Sequence, residues 1–194
     1  MRPTSRIAGC SAHADGGKDE ATVHEVCRLI EYWQRIGKPP HIIPRVHVWF
    51  VSPTFQLSLD WERRFQRIWP GPMVSTKSQH KYDLGYDTIL EFRSVGDNPE
   101  RLVSVGLDLL IMTECHLIPD AAINEMRPTL ISPDRFGFVL ATGIPSPVPW
   151  MEDWKQRADS GDPRYWYYTG PTSENPYINA DDLQGEIDAT PDYL

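Results

Sequence analysis

Apolar runs of β character that alternate with amphipathic segments constrain the fold of this chain more than any other feature. Three runs are apolar almost throughout: RVHVWFVSP (45–53), GLDLLIM (106–112) and FGFVLATG (136–143). Strands of this composition are usually buried on both faces, as in a parallel sheet. The segments between them, such as DEATVHEVCRLIEYWQRIG (19–37), place apolar residues at helical spacing. The sequence therefore predicts an α/β fold of three layers, with helices covering a mainly parallel central sheet.

Weaker patterns complete the predicted element order. Further strands are predicted at 5–11, at 87–95 and, as an exposed or edge strand, at 164–170. Further helices are predicted at 54–69, 120–131, 150–159 and 179–187. In such a sheet, ligands bind outside the carboxyl ends of the strands, so functional residues are expected there.

Composition excludes several classes of protein. The chain has 194 residues, enough for one globular domain, and its net charge of −8 argues against a dedicated nucleic-acid-coating module. No apolar run is long enough for a membrane span, and the N-terminus lacks the apolar core of a signal peptide. Cys10, Cys27 and Cys115 are widely spaced, which indicates reduced thiols and not a disulfide framework or a zinc site.

The segment AHADGGKDE (12–20) is a candidate phosphate-binding loop, because it follows the first predicted strand and opens the first helix. Gly16, Gly17 and Lys18 stand where such a loop has small residues and its lysine, and Ala12 stands where the first glycine is usual. Asp19 replaces the usual magnesium-binding Ser or Thr. A Gly-Gly-Lys-Asp turn that simply begins a helix is the alternative.

The stretch LDLLIMTECHLI (107–118) delivers a carboxylate to the tip of a buried strand. Glu114 at that position has the character of a general base or water-orienting group for attack on a γ-phosphate. A loop glutamate at the start of a turn is the structural alternative. Thr113 stands where nucleotide-hydrolysing sheets carry a metal-binding aspartate.

Asp19 and Thr113 together suggest that two ligand types have exchanged places. A Mg²⁺-nucleotide site normally takes a hydroxyl from the loop and a carboxylate from the strand end, whereas this sequence has the reverse. Because Mg²⁺ requires hard oxygen ligands, the same set on opposite walls of the site would serve. Asp19 would repel phosphate without the metal, so nucleotide binding is expected to depend strongly on Mg²⁺.

The order of the motifs is similar to that of a known family. The matching segments are VSPTFQ (51–56), EFRSVGDNPERLVSVGLDLLIMTE (91–114), MRPTL (126–130), FGFVLATGIP (136–145) and GPTSENPYI (170–178). Over nearly the whole chain the sequence resembles the ATPase domain of bacteriophage large terminase subunits, the motors that package DNA into procapsids.

The resemblance implies a P-loop NTPase fold of the RecA-like, terminase type and an ATP-hydrolysing motor that uses Mg²⁺. It implies ATP binding by the 12–19 loop, with Lys18 on the β/γ-phosphates, Glu114 as the catalytic carboxylate and Thr142 in a motif that couples hydrolysis to movement. A plain strand-ending turn is the alternative at Thr142. The implied partners are double-stranded DNA, the portal protein, the small terminase subunit and further copies in a ring. The implied location is the bacterial host cytoplasm, without a membrane.

Departures from the family pattern are specific. Ala14 and Val103 stand where the family has arginines, so charge compensation would come from Arg101, Arg127 or a neighbouring subunit. The basic helix segment ERRFQR (62–67) has two interpretations, DNA contact or a solvated helix face. The chain 1–194 is expected to be a single ATPase domain without the nuclease domain, with 146–194 as its C-terminal edge.

Two other functions remain open from the sequence. The departures at residues 14, 103 and 113 suit a catalytically silent relative that acts as a binding or assembly module. A helicase-type motor shares the motifs but requires a second motor domain, for which 194 residues leave no room.

Overall fold

The structure, a computed structural model, describes residues 7–12 (backbone), 17–36, 44–76, 78, 80–96, 102, 106–131 and 135–170. The strands are β1 (Ile7–Ala12), β2 (Val46–Ser52), β3 (Val74–Ser75), β4 (Lys81–Asp83), β5 (Thr88–Ser94), β6 (Leu109–Met112), β7 (Phe138–Gly143) and β8 (Tyr165–Gly170). The helices are α1 (Lys18–Ile36), α2 (Phe55–Ile68), α3 (Asp120–Leu130) and α4 (Pro149–Asp159).

These strands form one sheet in the order β3-β4-β5-β2-β6-β7-β1-β8. The strands from β5 to β8 in that order pair in parallel, while β3 and β4 add an antiparallel hairpin at one edge. The predicted α/β fold with a mainly parallel sheet is confirmed, and β8 is an edge strand as expected. The hairpin was not predicted, and the helix predicted at 179–187 lies outside the described residues.

Helices cover both faces of the sheet, which creates two core layers. Helices α1 and α2 pack on the face of β2 that carries Val48 and Phe50. Helices α3 and α4 pack on the face that carries Trp49 and Val51. Every residue of β2 is buried, which is why its sequence is almost continuously apolar. Within the described residues, no helix has the length and apolar character that crossing a membrane requires.

A buried carboxylate fixes the start of β6, the strand that leads to Glu114. Asp108 is fully buried and accepts hydrogen bonds from the backbone N–H groups of His47 (2.9 Å) and Phe136 (3.0 Å) and from Arg135 (2.9 Å). These bonds tie β6 to the chain before β7 and to β2. Since the central strands are parallel, their carboxyl ends meet at one edge of the sheet, where the candidate residues lie.

Candidate functional site

The candidate phosphate-loop lysine is buried and faces two carboxylates. Gly17 precedes α1 with φ of +70°, a left-handed conformation that favours glycine. The Lys18 side chain is 4% exposed, and its Nζ lies 3.4 Å from Asp19 Oδ1 and 3.5 Å from Glu114 Oε1. The first turn of α1 and the turn after β6 therefore meet through opposite charges.

Glu114 adopts a backbone conformation that is unfavourable for its residue type. It follows β6 with φ of +44° and ψ of +46°, and a short 3-10 turn (Cys115–Leu117) begins immediately after it. A non-glycine residue in this region costs of the order of 1 kcal/mol, and such residues concentrate at functional sites. The sharp turn brings the carboxylate back toward Lys18.

The tip of β7 packs directly on the turn that carries Glu114. The His116 Nδ1 atom accepts a hydrogen bond from the backbone N–H of Ile144 (3.3 Å) and lies 3.7 Å from Glu114 Oε2. A Cβ atom at Gly143 would lie 2.9 Å from the backbone nitrogen of Cys115 and 3.0 Å from His116 Nδ1. Only glycine permits this close approach without displacement.

Three hydroxyl side chains stand in register at the ends of β2, β6 and β7. Ser52, Thr113 and Thr142 are each fully buried. The Ser52 and Thr113 hydroxyls are 2.8 Å apart and hydrogen-bonded, while the Thr142 hydroxyl has no hydrogen-bond partner among the described residues. A buried hydroxyl without a partner costs free energy, which points to a group that arrives from outside the described chain.

Asp19 is held by a second cation that sequence reasoning did not identify. Its Oδ2 atom lies 3.4 Å from a guanidinium nitrogen of Arg64 on α2, while its buried Oδ1 atom forms no hydrogen bond with the described residues. Arg64 also donates to Glu20 Oε2 (3.2 Å). Arg64 follows Trp61 by three positions on α2, but its pairing with Asp19 depends on how α2 packs on α1, so the local sequence carries no signal for it.

The residues present fit a Mg²⁺ ion in their chemistry. Asp19 Oδ1, which forms no hydrogen bond with the described part of the chain, and the hydroxyl oxygen of Thr113 are hard oxygen donors of the kind Mg²⁺ accepts. Among the described side chains, no hydrogen bond joins Asp19 to Thr113, and no group of three or more His, Cys, Asp or Glu residues is arranged to hold a metal. Such a site would depend on water and phosphate for its remaining ligands, as is usual for this ion.

The structure thus brings Lys18, Asp19 and Glu114 into contact. Of the other loop candidates, Ala12 ends β1, Gly17 precedes α1, and Gly16 lies outside the described residues. Of the candidate arginines, Arg101 also lies outside them, and Arg127 lies on α3, on the opposite side of the sheet from α1.

Comparison with known proteins gives a consistent result for the fold. Neither a protein-family model nor a curated protein matches the sequence. Among solved structures, the large terminase ATPase domain of Thermus phage P74-26 matches with a TM-score of 0.67 and 17% identity over 98% of this chain and 86% of that one. The large terminase of another thermophilic bacteriophage matches with a TM-score of 0.70 and 9% identity over 96% of this chain and 45% of that one.

The HK97 bacteriophage large terminase matches with a TM-score of 0.68 and 12% identity over 95% of this chain. This chain spans 43% of the HK97 protein, so two of these three relatives are more than twice its length. At these identities the likeness establishes the fold: the chain has the α/β fold of phage large terminase ATPase domains.

Proposed function

We propose that this chain, with the fold of phage large terminase ATPase domains, is an ATP-hydrolysing motor domain that drives double-stranded DNA into a procapsid. The observation that carries the proposal is the 3.5 Å contact between Lys18 Nζ and Glu114 Oε1 at the carboxyl edge of the sheet. A cation that would bind phosphate and a carboxylate that would orient the attacking water fill two of the roles on which phosphoryl transfer to water depends.

Lys18 would bind the β/γ-phosphates. Its ammonium is almost fully buried and is neutralised by Asp19 and Glu114. An incoming triphosphate would replace these carboxylates as the partner of the ammonium, so the lysine would never be buried without an anion. The N-terminus of α1, which begins at Lys18, adds a favourable dipole for the same anion.

Glu114 would orient and deprotonate the attacking water. Once phosphate occupies Lys18, the carboxylate loses its cationic partner and becomes free to accept a proton. Glu114 has a left-handed backbone conformation and its carboxylate lies beside Lys18, while the neighbouring His116 accepts a hydrogen bond from the tip of β7. This arrangement speaks against a silent module, because a purely structural domain gains nothing from a buried lysine and a strained glutamate.

Asp19 and Thr113 would hold Mg²⁺ with water and phosphate oxygens. The ion, when bound, supplies charge neutralisation to the phosphates. Thr113 would donate its hydroxyl proton to Ser52 and keep a lone pair for the ion, since the 2.8 Å bond between them permits either direction.

Thr142 and the tip of β7 would sense the state of the nucleotide. The Thr142 hydroxyl, which has no hydrogen-bond partner among the described residues, would be able to bond to the nucleotide, and the close approach of Gly143 to Cys115 joins this strand end to the turn after Glu114. Any shift of Glu114 on hydrolysis would therefore reach β7 through rigid contacts.

The same proposal includes the nucleotide, the partner molecules and the place of action. The large terminase of the second thermophilic phage has been solved in complex with ADP and with ATP-gamma-S, which supports a nucleotide as the ligand. The proposed partners are double-stranded DNA, the portal protein, the small terminase subunit and further copies of the chain in a ring. The proposed place of action is the bacterial host cytoplasm.

Replacement of Glu114 by glutamine tests the catalytic role. We expect ATP hydrolysis to fall by about 10²- to 10⁴-fold, the usual contribution of a positioned acid or base, while nucleotide affinity is retained. Phosphate release measures the first quantity and calorimetric titration the second. The matched control is Glu152→Gln, because Glu152 lies on the surface of α4, where its side chain accepts a hydrogen bond from Gln156. Equal hydrolysis by the wild type and Glu114→Gln would refute the proposal.

Replacement of Lys18 by alanine tests the binding role. We expect ATP affinity to fall by about 10- to 100-fold, because a charge-assisted hydrogen bond contributes about 1.5–3 kcal/mol. Titration of ATP with and without Mg²⁺ measures the loss. A wild-type chain that binds ATP in neither condition would instead support the silent assembly module.

A further inference from the structure

Arg64 has contacts that a solvated helix face does not explain. Its guanidinium lies over the ring of Trp61, with 5.6 Å between its carbon and the ring centroid, and about one third of the side chain is exposed. One nitrogen lies 3.4 Å from Asp19 Oδ2, and another donates to Glu20 Oε2 at 3.2 Å. The residue thus bridges α2 to the first turn of α1, next to Lys18.

The two other arginines of α2, Arg63 and Arg67, pair with different carboxylates. Arg67 is two-thirds exposed and, within the described part of the chain, pairs with Glu20 alone, whereas Arg63 is equally exposed and pairs with Asp60 on its own helix. Glu20 therefore has two cationic partners, and it keeps Arg67 if Arg64 is removed. Within the residues that the structure describes, Asp19 would keep Lys18 as its one cationic partner, and the phosphate would bind to that same lysine.

The charge balance of the loop explains why this matters. A carboxylate directly after the phosphate-binding lysine repels the triphosphate, and at separations of about 4 to 8 Å this repulsion reaches several kcal/mol at an effective dielectric constant of about 20. A guanidinium that stays on Asp19 when Lys18 turns to the phosphate removes most of that cost. Stacking on Trp61 keeps Arg64 in place while the lysine exchanges partners.

We infer that Arg64 is a positioning residue of the nucleotide site, which neutralises Asp19 and thereby lets a loop that carries an aspartate accept ATP. This inference rests on the proposed function, because it assumes that the triphosphate binds at Lys18. It assigns α2 a part in nucleotide binding through its contact with α1 and without contact to the phosphates.

The test is a double-mutant cycle on ATP affinity in the presence of a chelator, so that Mg²⁺ does not occupy Asp19. We expect Arg64→Gln to weaken ATP binding by about tenfold, which corresponds to about 1.4 kcal/mol, and Arg64→Lys to weaken it less. In the Asp19→Asn background, Arg64→Gln is expected to change the affinity by less than about twofold, since no charge remains to be neutralised. The matched control is Arg63→Gln, which leaves Asp19 untouched.

The outcomes separate the two proposals. If the wild type binds ATP neither in the chelator nor in Mg²⁺, the proposed function fails and this inference fails with it. If it binds ATP in Mg²⁺ but not in the chelator, Arg64 does not neutralise Asp19 and only the inference is overturned. If the wild type binds ATP and Arg64→Gln binds it equally well, only the inference is overturned. A loss of affinity that persists in the Asp19→Asn background would also overturn the inference. If the melting temperature falls as well, the role of Arg64 is to hold α2 against α1.

Discussion

Charged side chains of opposite sign alternate around Lys18, and each one is paired with a neighbour of opposite charge. Lys18 contacts Asp19 and Glu114, and Arg64 contacts Asp19 from the other side. Two cations and two carboxylates thus neutralise one another. Burial of the lysine is tolerated only because these partners are present, since an unpaired buried charge costs several kcal/mol.

The proposed exchange of ligand types is testable at two residues. We expect Asp19→Ser alone and Thr113→Asp alone to abolish Mg²⁺-dependent ATP hydrolysis, because the first removes the carboxylate and the second places two carboxylates around one ion. The double variant restores one hydroxyl and one carboxylate, so we expect it to recover most of the activity. Phosphate release by the three variants measures this, and inactivity of the double variant would contradict the exchange.

At the scale of elements, the tip of β7 and the turn after β6 form one packed unit. Gly143 fits against Cys115 and His116 with no room for a side chain, and the Ile144 N–H bonds to His116. A change at the end of β7 is therefore transmitted to Glu114 through contacts that cannot be compressed.

Gly143→Ala tests that unit. Its Cβ would lie 2.9 Å from a backbone atom, so the turn must shift, and we expect a loss of about 1–3 kcal/mol in the free energy of unfolding together with slower hydrolysis. Denaturant unfolding and phosphate release measure the two effects. Gly161→Ala is the control, because an alanine at φ of +79° would also strain the backbone. Gly161 lies after α4, and its added Cβ would contact no other atom. A hydrolysis rate equal to that of the wild type would show that the tip and the turn are not coupled.

The long elements could be predicted from the sequence because apolar periodicity records burial. The central strands and α1 to α4 follow from that pattern. The hairpin of β3 and β4 could not be predicted, because two- and three-residue strands with exposed or half-buried side chains carry no apolar period. The contact of Lys18 with Glu114 was foreseeable from the parallel sheet. The pairing of Arg64 with Asp19 depends on how α2 packs on α1, which local sequence does not encode.

At the scale of the whole molecule, a buried carboxylate joins three strands of the sheet. Glu91 on β5 is hydrogen-bonded to His47 of β2 (3.0 Å) and pairs with Lys81 of β4 (3.0 Å) and with Arg93 (2.6 Å). Burial by itself raises the pKa of Glu91, but the hydrogen bonds from His47, Arg93 and Lys81 outweigh it and hold that pKa far below its ordinary value. The network attaches the antiparallel hairpin to the parallel sheet.

This network predicts how stability depends on pH. A carboxyl whose pKa is lowered by folding stabilises the native state above its ordinary pKa of 4.5, and the stabilisation is lost as the pH falls below that value. We expect Glu91→Gln to lower the free energy of unfolding by about 3 kcal/mol at neutral pH, with the difference from the wild type shrinking in acid. Urea unfolding of the wild type and of Glu91→Gln, from neutral pH to below pH 4.5, measures this difference in free energy.

Glu25→Gln serves as the control for that measurement, because Glu25 forms an exposed pair with Arg28 and its loss is expected to cost less than about 1 kcal/mol. A difference between Glu91→Gln and the wild type that stays constant into acid would contradict the assigned role.

The left-handed backbone of Glu114 lowers the stability of the fold at a position where the proposed activity needs a carboxylate. Glycine adopts φ of +44° without penalty, whereas alanine does not, and both substitutions remove the carboxylate that pairs with Lys18. We therefore expect Glu114→Gly to melt at a higher temperature than Glu114→Ala, while neither variant hydrolyses ATP. Without selection for hydrolysis, glycine or asparagine would be expected to replace glutamate at this position, because these residues adopt the left-handed conformation more readily. A strained glutamate is therefore expected to persist at this position only where selection acts on its carboxylate.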